Sequence, residues 1–73
     1  MPPNFIGISS SNVEVLMEMK EQLEKLKTTC RVWREGQRFL WIQTYWGENE
    51  VREWIRTANF SENHFDFSLH VYN

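Results

Sequence analysis

The spacing of the apolar residues changes repeatedly along this chain, and the order of those changes constrains its fold more than any other feature. Helical spacing predicts α-helices over 11–27, where Ser11 and Glu14 fit a capping box, and over 48–59. Alternating apolar and polar residues, or a high content of β-branched and aromatic residues, predict strands over 4–9, 28–34, 38–46 and 65–72. The predicted order of elements is therefore β-α-β-β-α-β.

This order of elements predicts a single α+β domain, residues 1–73, of the ferredoxin-like, split βαβ type. Its four-stranded antiparallel sheet is expected to have the strand order 4-1-3-2, with two helices on one face and the other face open. A chain of 73 residues has no room for a second core. The main alternative is an αββαβ domain in which residues 4–9 are only a lead-in.

The last predicted strand indicates which face of the sheet is buried, because its alternation is strict. Apolar residues occupy every second position from Phe65 to Val71, with polar residues between them and Tyr72 after them. We therefore expect the apolar set to face the helices. The same reasoning places these side chains of the other strands against the helices: Ile6, Ile8, Cys30, Leu40, Ile42 and Trp46.

The remaining strand residues leave an aromatic surface on the open face. Aromatic residues make up 15% of the chain, and the inward positions account for only part of them. An exposed patch rich in Trp, Tyr and Arg is typical of a contact surface. The predicted partner-binding residues are Phe5, Arg31, Trp33, Arg38, Phe39, Trp41, Tyr45 and Tyr72. The alternative is an inverted third strand, in which Phe39, Trp41 and Tyr45 are buried.

Two short segments resemble the motifs of RNA-recognition-motif domains. Phe5-Ile6-Gly7-Ile8 is similar to the first motif, and Phe39-Leu40-Trp41-Ile42 is similar to the centre of the second, which has aromatic residues at i and i+2. The resemblance implies that Phe5, Phe39 and Trp41 would stack on the bases of a single-stranded nucleic acid. It is confined to these two segments of the chain.

The charge of the chain favours a protein partner over a nucleic acid. Eight basic and ten acidic side chains give a formal net charge of −2, whereas affinity for nucleic acid depends on neutralising phosphates. We therefore expect a non-catalytic protein-interaction module: an adaptor, an assembly subunit or a virus-encoded stoichiometric inhibitor. Single-stranded nucleic-acid binding and a homodimer formed through the same face stay open as alternatives.

The residues that carry out catalysis or metal binding in other proteins do not combine into a site here. Cys30 is expected on the buried side of its strand, where a small hydrophobic role is more typical than a thiol–imidazole pair with His64 or His70. His70 would lie about 13 Å from Asp66 along one strand, which is too far to share an ion. We therefore expect no enzyme, no metal and no cofactor.

The single cysteine and the first residues indicate the compartment. Cys30 alone cannot form an internal disulfide, which a small secreted domain usually needs. Residues 1–4 have neither the basic nor the apolar region of a signal peptide. No uncharged apolar run approaches the roughly 20 residues that span a bilayer. We expect a cytoplasmic protein in a reducing compartment, without a membrane segment.

Overall fold

All six predicted elements are present in the computed structural model, which describes residues 2–60 and 65–72. The first strand pairs on both sides, so the αββαβ alternative is excluded. Neither α-helix in the described ranges has the length or the apolar character that crossing a bilayer requires. The elements are β1 (Asn4–Ser9), α1 (Val13–Glu24), β2 (Cys30–Glu35), β3 (Phe39–Thr44), α2 (Glu48–Thr57) and β4 (Ser68–Tyr72).

The four strands form one antiparallel sheet in the order β2-β3-β1-β4. Read from the opposite edge, this is the predicted order 4-1-3-2. β1 lies in the interior, where Ile6 pairs with Ile42 of β3 on one side and with Val71 of β4 on the other. The prediction of an α+β fold with a four-stranded antiparallel sheet and two helices is therefore confirmed.

The core contains the predicted inward residues of the sheet. Ile6, Ile8, Leu40 and Ile42 are at most 2% exposed, and they form one cluster with the buried residues of both helices. Each such side chain contributes about 1.5–3 kcal/mol of burial free energy. The helices therefore cover the same face of the sheet, and the inverted third strand is excluded. The helical members are Val15, Leu16, Met19 and Leu23 of α1, and Val51 and Ile55 of α2.

α1 begins and ends inside the predicted range of 11–27. Its N-cap is Asn12, whose Oδ1 accepts a hydrogen bond from the Val15 N–H at 3.2 Å, so the predicted Ser11 cap is wrong. The chain turns after Glu24, because the N–H groups of Thr29 and Cys30 both donate to the carbonyl of Leu26. The helix therefore ends three residues before the predicted end at residue 27, and these turns lead the chain into β2 at Cys30.

Three predicted strands extend too far, because strand pairing ends where the neighbouring strand ends. Residues 28–29 precede β2, whose first residue Cys30 pairs with Thr44 at the end of β3. β1 covers Asn4 to Ser9, and its terminal residues pair with Thr44 of β3 and with Ser68 of β4. Residues 45–46 therefore lie beyond β3, and residues 65–67 lie before β4. The aromatic rings of these flanking segments (Trp46, Phe65 and Phe67) still pack against the core, as predicted.

Val71 is the predicted inward residue that the helices cover least. Its Cα pairs with buried Ile6, so it belongs to the helix side, but it is 42% exposed. β4 is an edge strand, and the helical layer leaves this part of it uncovered. His64 lies outside the described residues.

Candidate interaction surface

The open face of the sheet carries four aromatic rings in mutual contact, one from each strand. We call Phe5, Trp33, Trp41 and Tyr72 the four-ring cluster. Contacting rings have centroids 4.7–6.5 Å apart and interplanar angles of 59–88°. Trp33 is 46% exposed and Tyr72 is 62% exposed. Four of the predicted partner-binding residues therefore form a contiguous aromatic surface on the side opposite the helices.

Trp41 reaches across the sheet because its neighbour on β1 has no side chain. Gly7 pairs directly with Trp41, and a Cβ on Gly7 would lie only 2.8–3.0 Å from three atoms of the indole ring. The ring therefore covers the glycine backbone and contacts Tyr72 on β4, with centroids 6.2 Å apart. The sequence pattern predicted that Trp41 lies on this face. It did not predict that Gly7, by lacking a side chain, leaves the space that the Trp41 ring occupies.

A β-bulge in β2 places two neighbouring residues on the open face. Val32 pairs with Ile42 and Arg34 with Trp41, so Trp33 is the extra residue between them. The guanidinium carbon of Arg34 lies 5.3 Å from the centroid of the Trp33 ring, a cation–π geometry. Arg34 is thus a candidate site residue absent from the predicted set, because simple alternation would have turned it toward the helices.

The bulge also returns Glu35 to the helix side of the sheet. Glu35 pairs with buried Leu40, and its carboxylate accepts a 3.0 Å hydrogen bond from the Lys20 ammonium of α1. That hydrogen bond and the charge of Glu35 raise the pKa of Lys20. The carboxylate is therefore directed away from the open face.

Phe39 and Tyr45 lie on or beside the open face but outside the four-ring cluster. The Phe39 ring covers Gly36, where a Cβ would overlap the ring, and Phe39 is 38% exposed. None of the described glycines has a positive φ, so the turn needs Gly36 for this close approach and not for a left-handed backbone conformation. Tyr45 is 61% exposed beyond the end of β3, where its N–H donates to the carbonyl of Thr29.

The two predicted arginines take different positions. Arg31 pairs with Gln43 and is exposed at the β2 edge of the open face. Arg38 lies at the far end of the sheet, where it lines a shallow groove with residues 9–11 and 66–68. The Arg38 carbonyl accepts a hydrogen bond from the N–H of Ser10 at 3.1 Å. Arg31 is therefore near the cluster, whereas Arg38 belongs to a separate part of the surface.

Charge is divided unequally between the two faces of the protein. The open-face positions of the four strands include Arg31 and Arg34 and no carboxylate. The two helices together carry seven acidic and three basic side chains. The four-ring cluster therefore belongs to the basic side of a chain whose net charge is −2.

The polar groups that could support chemistry have structural partners. Cys30 is 3% exposed, and its Sγ lies 3.2 Å from the Oγ1 of Thr44. Burial raises the pKa of the Cys30 thiol, and the hydrogen bond with Thr44 only partly offsets that rise. Glu48 pairs with Arg52, and Glu50 accepts a hydrogen bond from the Gly47 N–H. Among residues 2–60 and 65–72, no group of three His, Cys, Asp or Glu side chains is arranged to hold a metal ion.

Comparison with protein-family models, with curated proteins and with solved structures gave no match for this chain. What the protein binds therefore has to be inferred from the geometry and charge of its own surface. The four-ring cluster and the two arginines beside it are the features that such an inference can use.

Proposed function

We propose that this chain is a non-catalytic protein-binding module and that the four-ring cluster is its contact surface. One observation carries the proposal: four rings contact one another on the sheet face that no described element covers, with Trp33 and Tyr72 46% and 62% exposed. The core cluster on the other face contains none of these four rings. Large exposed aromatic patches are uncommon on monomeric proteins and are typical of interaction sites.

The arrangement of the rings supports a protein partner more than a nucleic acid. A base inserted between two rings needs about 7 Å between their planes, which is twice the separation of stacked carbon atoms. The centroids of Trp33 and Tyr72 are only 6.2 Å apart, at an interplanar angle of 64°. A base therefore cannot insert between these two rings, and together they offer one continuous apolar surface.

The charges of the open face specify the kind of protein partner. Arg34 lies over Trp33 of the four-ring cluster, Arg31 lies on the same face at the β2 edge, and the described strands place no carboxylate on this face. A complementary surface has an apolar centre that receives the rings and carboxylates at its rim that meet the arginines. Two copies of this chain placed face to face would instead bring two arginine-bearing surfaces together. We therefore favour a different, acidic protein surface, as an adaptor, an assembly subunit or a stoichiometric inhibitor would bind.

We further infer that the fold is of the ferredoxin-like, split βαβ type. The element order β-α-β-β-α-β and the interior positions of β1 and β3 support this assignment. The assignment accounts for the open face, because both crossover helices of such a fold lie on the same side of the sheet. An experimental structure in which the two crossovers differ in handedness would contradict it.

The proposed function can be tested by comparing two tyrosines that are almost equally exposed but lie at different positions. Tyr72 lies in the four-ring cluster and is 62% exposed, whereas Tyr45 lies outside the cluster and is 61% exposed. Affinity capture from source cells, quantified by mass spectrometry, should recover a partner with the wild-type chain and with Tyr45→Ala. Tyr72→Ala and Trp33→Ala should lose at least about tenfold of that partner, since central aromatic residues dominate binding.

Two results, one from this experiment and one from a fluorescence titration, would contradict the proposal. Equal capture by the Tyr72→Ala and Tyr45→Ala variants would mean that the four-ring cluster does not bind the partner. A nucleic-acid function would instead appear as quenching of Trp fluorescence by single-stranded oligonucleotides, with affinity that falls as salt rises. Circular dichroism of every variant checks that the fold is intact.

A further inference from the structure

The two edges of the sheet are protected to different degrees. The β2 edge has a bulge at Trp33 and carries the charged residues Arg31, Arg34 and Glu35. Bulges and charges of this kind prevent an edge strand from pairing with another chain. β4, at the other edge, has the sequence Ser-Leu-His-Val-Tyr and pairs with β1 without a register shift. It therefore lacks every one of the protective features of β2.

β4 also leaves apolar surface exposed on both sides of the sheet. Val71 on the helix side is 42% exposed, and Tyr72 on the open face is 62% exposed. Within residues 2–60 and 65–72, no strand lies beyond β4. Among these residues, nothing pairs with the outer backbone groups of β4, and the exposed side of Val71 lies beside them.

We propose that β4 pairs in an antiparallel manner with β4 of a second copy of this chain, about a two-fold axis at His70. In this register His70 lies opposite His70 of the second copy. Leu69 then lies opposite Val71, and Ser68 opposite Tyr72. Directly opposite residues of an antiparallel pair point to the same face of the sheet. Each pair therefore joins residues that already share a face, and the two sheets continue into one.

The composition of β4 favours a second copy as the occupant. The Leu69–Val71 contacts, made twice by the two-fold symmetry, cover the exposed apolar surface of Val71. β4 has no Asp, Glu, Lys or Arg, so self-pairing brings no two such charges together. Five paired residues from each chain form a small interface, so we expect a dissociation constant in the micromolar range or weaker. This inference does not depend on the proposed function of the open face.

Two lysine substitutions of equal charge test the register. His70→Lys would place two lysines directly opposite each other across the two-fold axis, and like charges in that position are destabilising. Ser68→Lys adds the same charge to the same face, but the two lysines would be about 13 Å apart along the strands. Sedimentation equilibrium should show a concentration-dependent dimer for the wild type. His70→Lys should weaken it at least about tenfold and Ser68→Lys far less.

A cysteine pair gives a second measurement that does not depend on affinity. The chain has one cysteine, Cys30, which is 3% exposed. Oxidation of His70→Cys should form a covalent dimer, because opposite Cα atoms at about 4.5–5.5 Å suit a disulfide. Oxidation of Ser68→Cys should not. A wild type that stays monomeric at millimolar concentration, or equal cross-linking of both variants, would overturn the proposal. A dimer that Trp33→Ala abolishes and His70→Lys preserves would move the interface to the open face and overturn it too.

Discussion

The protein has two groups of contacting aromatic rings, and they differ in what covers them. On the helix side, Trp46, Trp54, Phe60, Phe65 and Phe67 form a row with successive centroids 5.6–6.0 Å apart. On the open face, the four-ring cluster has similar distances and angles. Phe60 in the helix-side row is 4% exposed, whereas Tyr72 in the four-ring cluster is 62% exposed. Ring contact alone therefore does not separate a structural group from a candidate binding surface. The helix-side rings pack in or against the core, whereas the four-ring cluster includes two exposed rings, Trp33 and Tyr72.

The two groups also differ in how the chain assembles them. The helix-side row follows the chain through α2 and the segment that approaches β4, so most of its members are close in sequence. The four-ring cluster takes one residue from each strand, from Phe5 to Tyr72. The row accordingly connects one helix to the core, whereas the four-ring cluster exists only when all the strands are paired.

The largest expected effect separates the two groups by stability. Phe60→Ala removes a ring that is 4% exposed and leaves a cavity, so it should cost about 3–5 kcal/mol of unfolding free energy. Tyr72→Ala removes a ring that is 62% exposed and should cost only about 1 kcal/mol, the value of its edge contacts. Urea unfolding followed by circular dichroism measures both. Equal losses would mean that the four-ring cluster is part of the stabilising core.

An intermediate effect on the unfolding free energy is expected at Gly7, over which the Trp41 ring lies. Gly7→Ala places a methyl group 2.8 Å from the indole ring, and the overpacking should cost about 1–3 kcal/mol. The same substitution in a Trp41→Ala background should cost much less, because the clash is gone. A double-mutant cycle by urea unfolding measures this coupling. An equal cost in both backgrounds would show that the glycine is needed for another reason.

The smallest expected effects compare one arginine from each group. Arg34 lies over Trp33 at 5.3 Å, and Arg52 lies over Phe67 at 6.0 Å. Each substitution to Gln should reduce the unfolding free energy by about 0.5–1 kcal/mol. Only Arg34→Gln should also weaken partner capture, because Arg52 lies on the helix side. Equal capture by both variants would remove Arg34 from the candidate surface.

The sequence predicted the order of elements and the orientation of the central strand because both depend on hydrophobic spacing. Leu40 and Ile42 alternate with Phe39 and Trp41, and only one of these sets can join the aliphatic core of the helices. That choice places Trp41 on the open face. The aromatic surface was therefore accessible from the pattern alone, although its binding role stays a proposal.

Features set by contacts between distant residues were not accessible from the pattern. The bulge at Trp33 adds one residue to β2, and alternation does not reveal where an extra residue lies. The end of β3 at Thr44 depends on where β1 begins. Gly7 and Gly36 are needed because aromatic rings lie directly over them. Which rings lie over them can be known only once the register of the sheet is known. Each of these misses concerns geometry between elements and not the elements themselves.

The origin of the four-ring cluster in four different strands links recognition to folding. A partly unfolded chain, or one whose last strand has not yet been synthesised, lacks at least one of the rings. A molecule that binds all four rings together therefore selects the fully native chain and raises its melting temperature as ligand concentration increases. A thermal shift would then report how much of the protein is bound, without any label. Binding of the partner would in turn show that all four strands are folded.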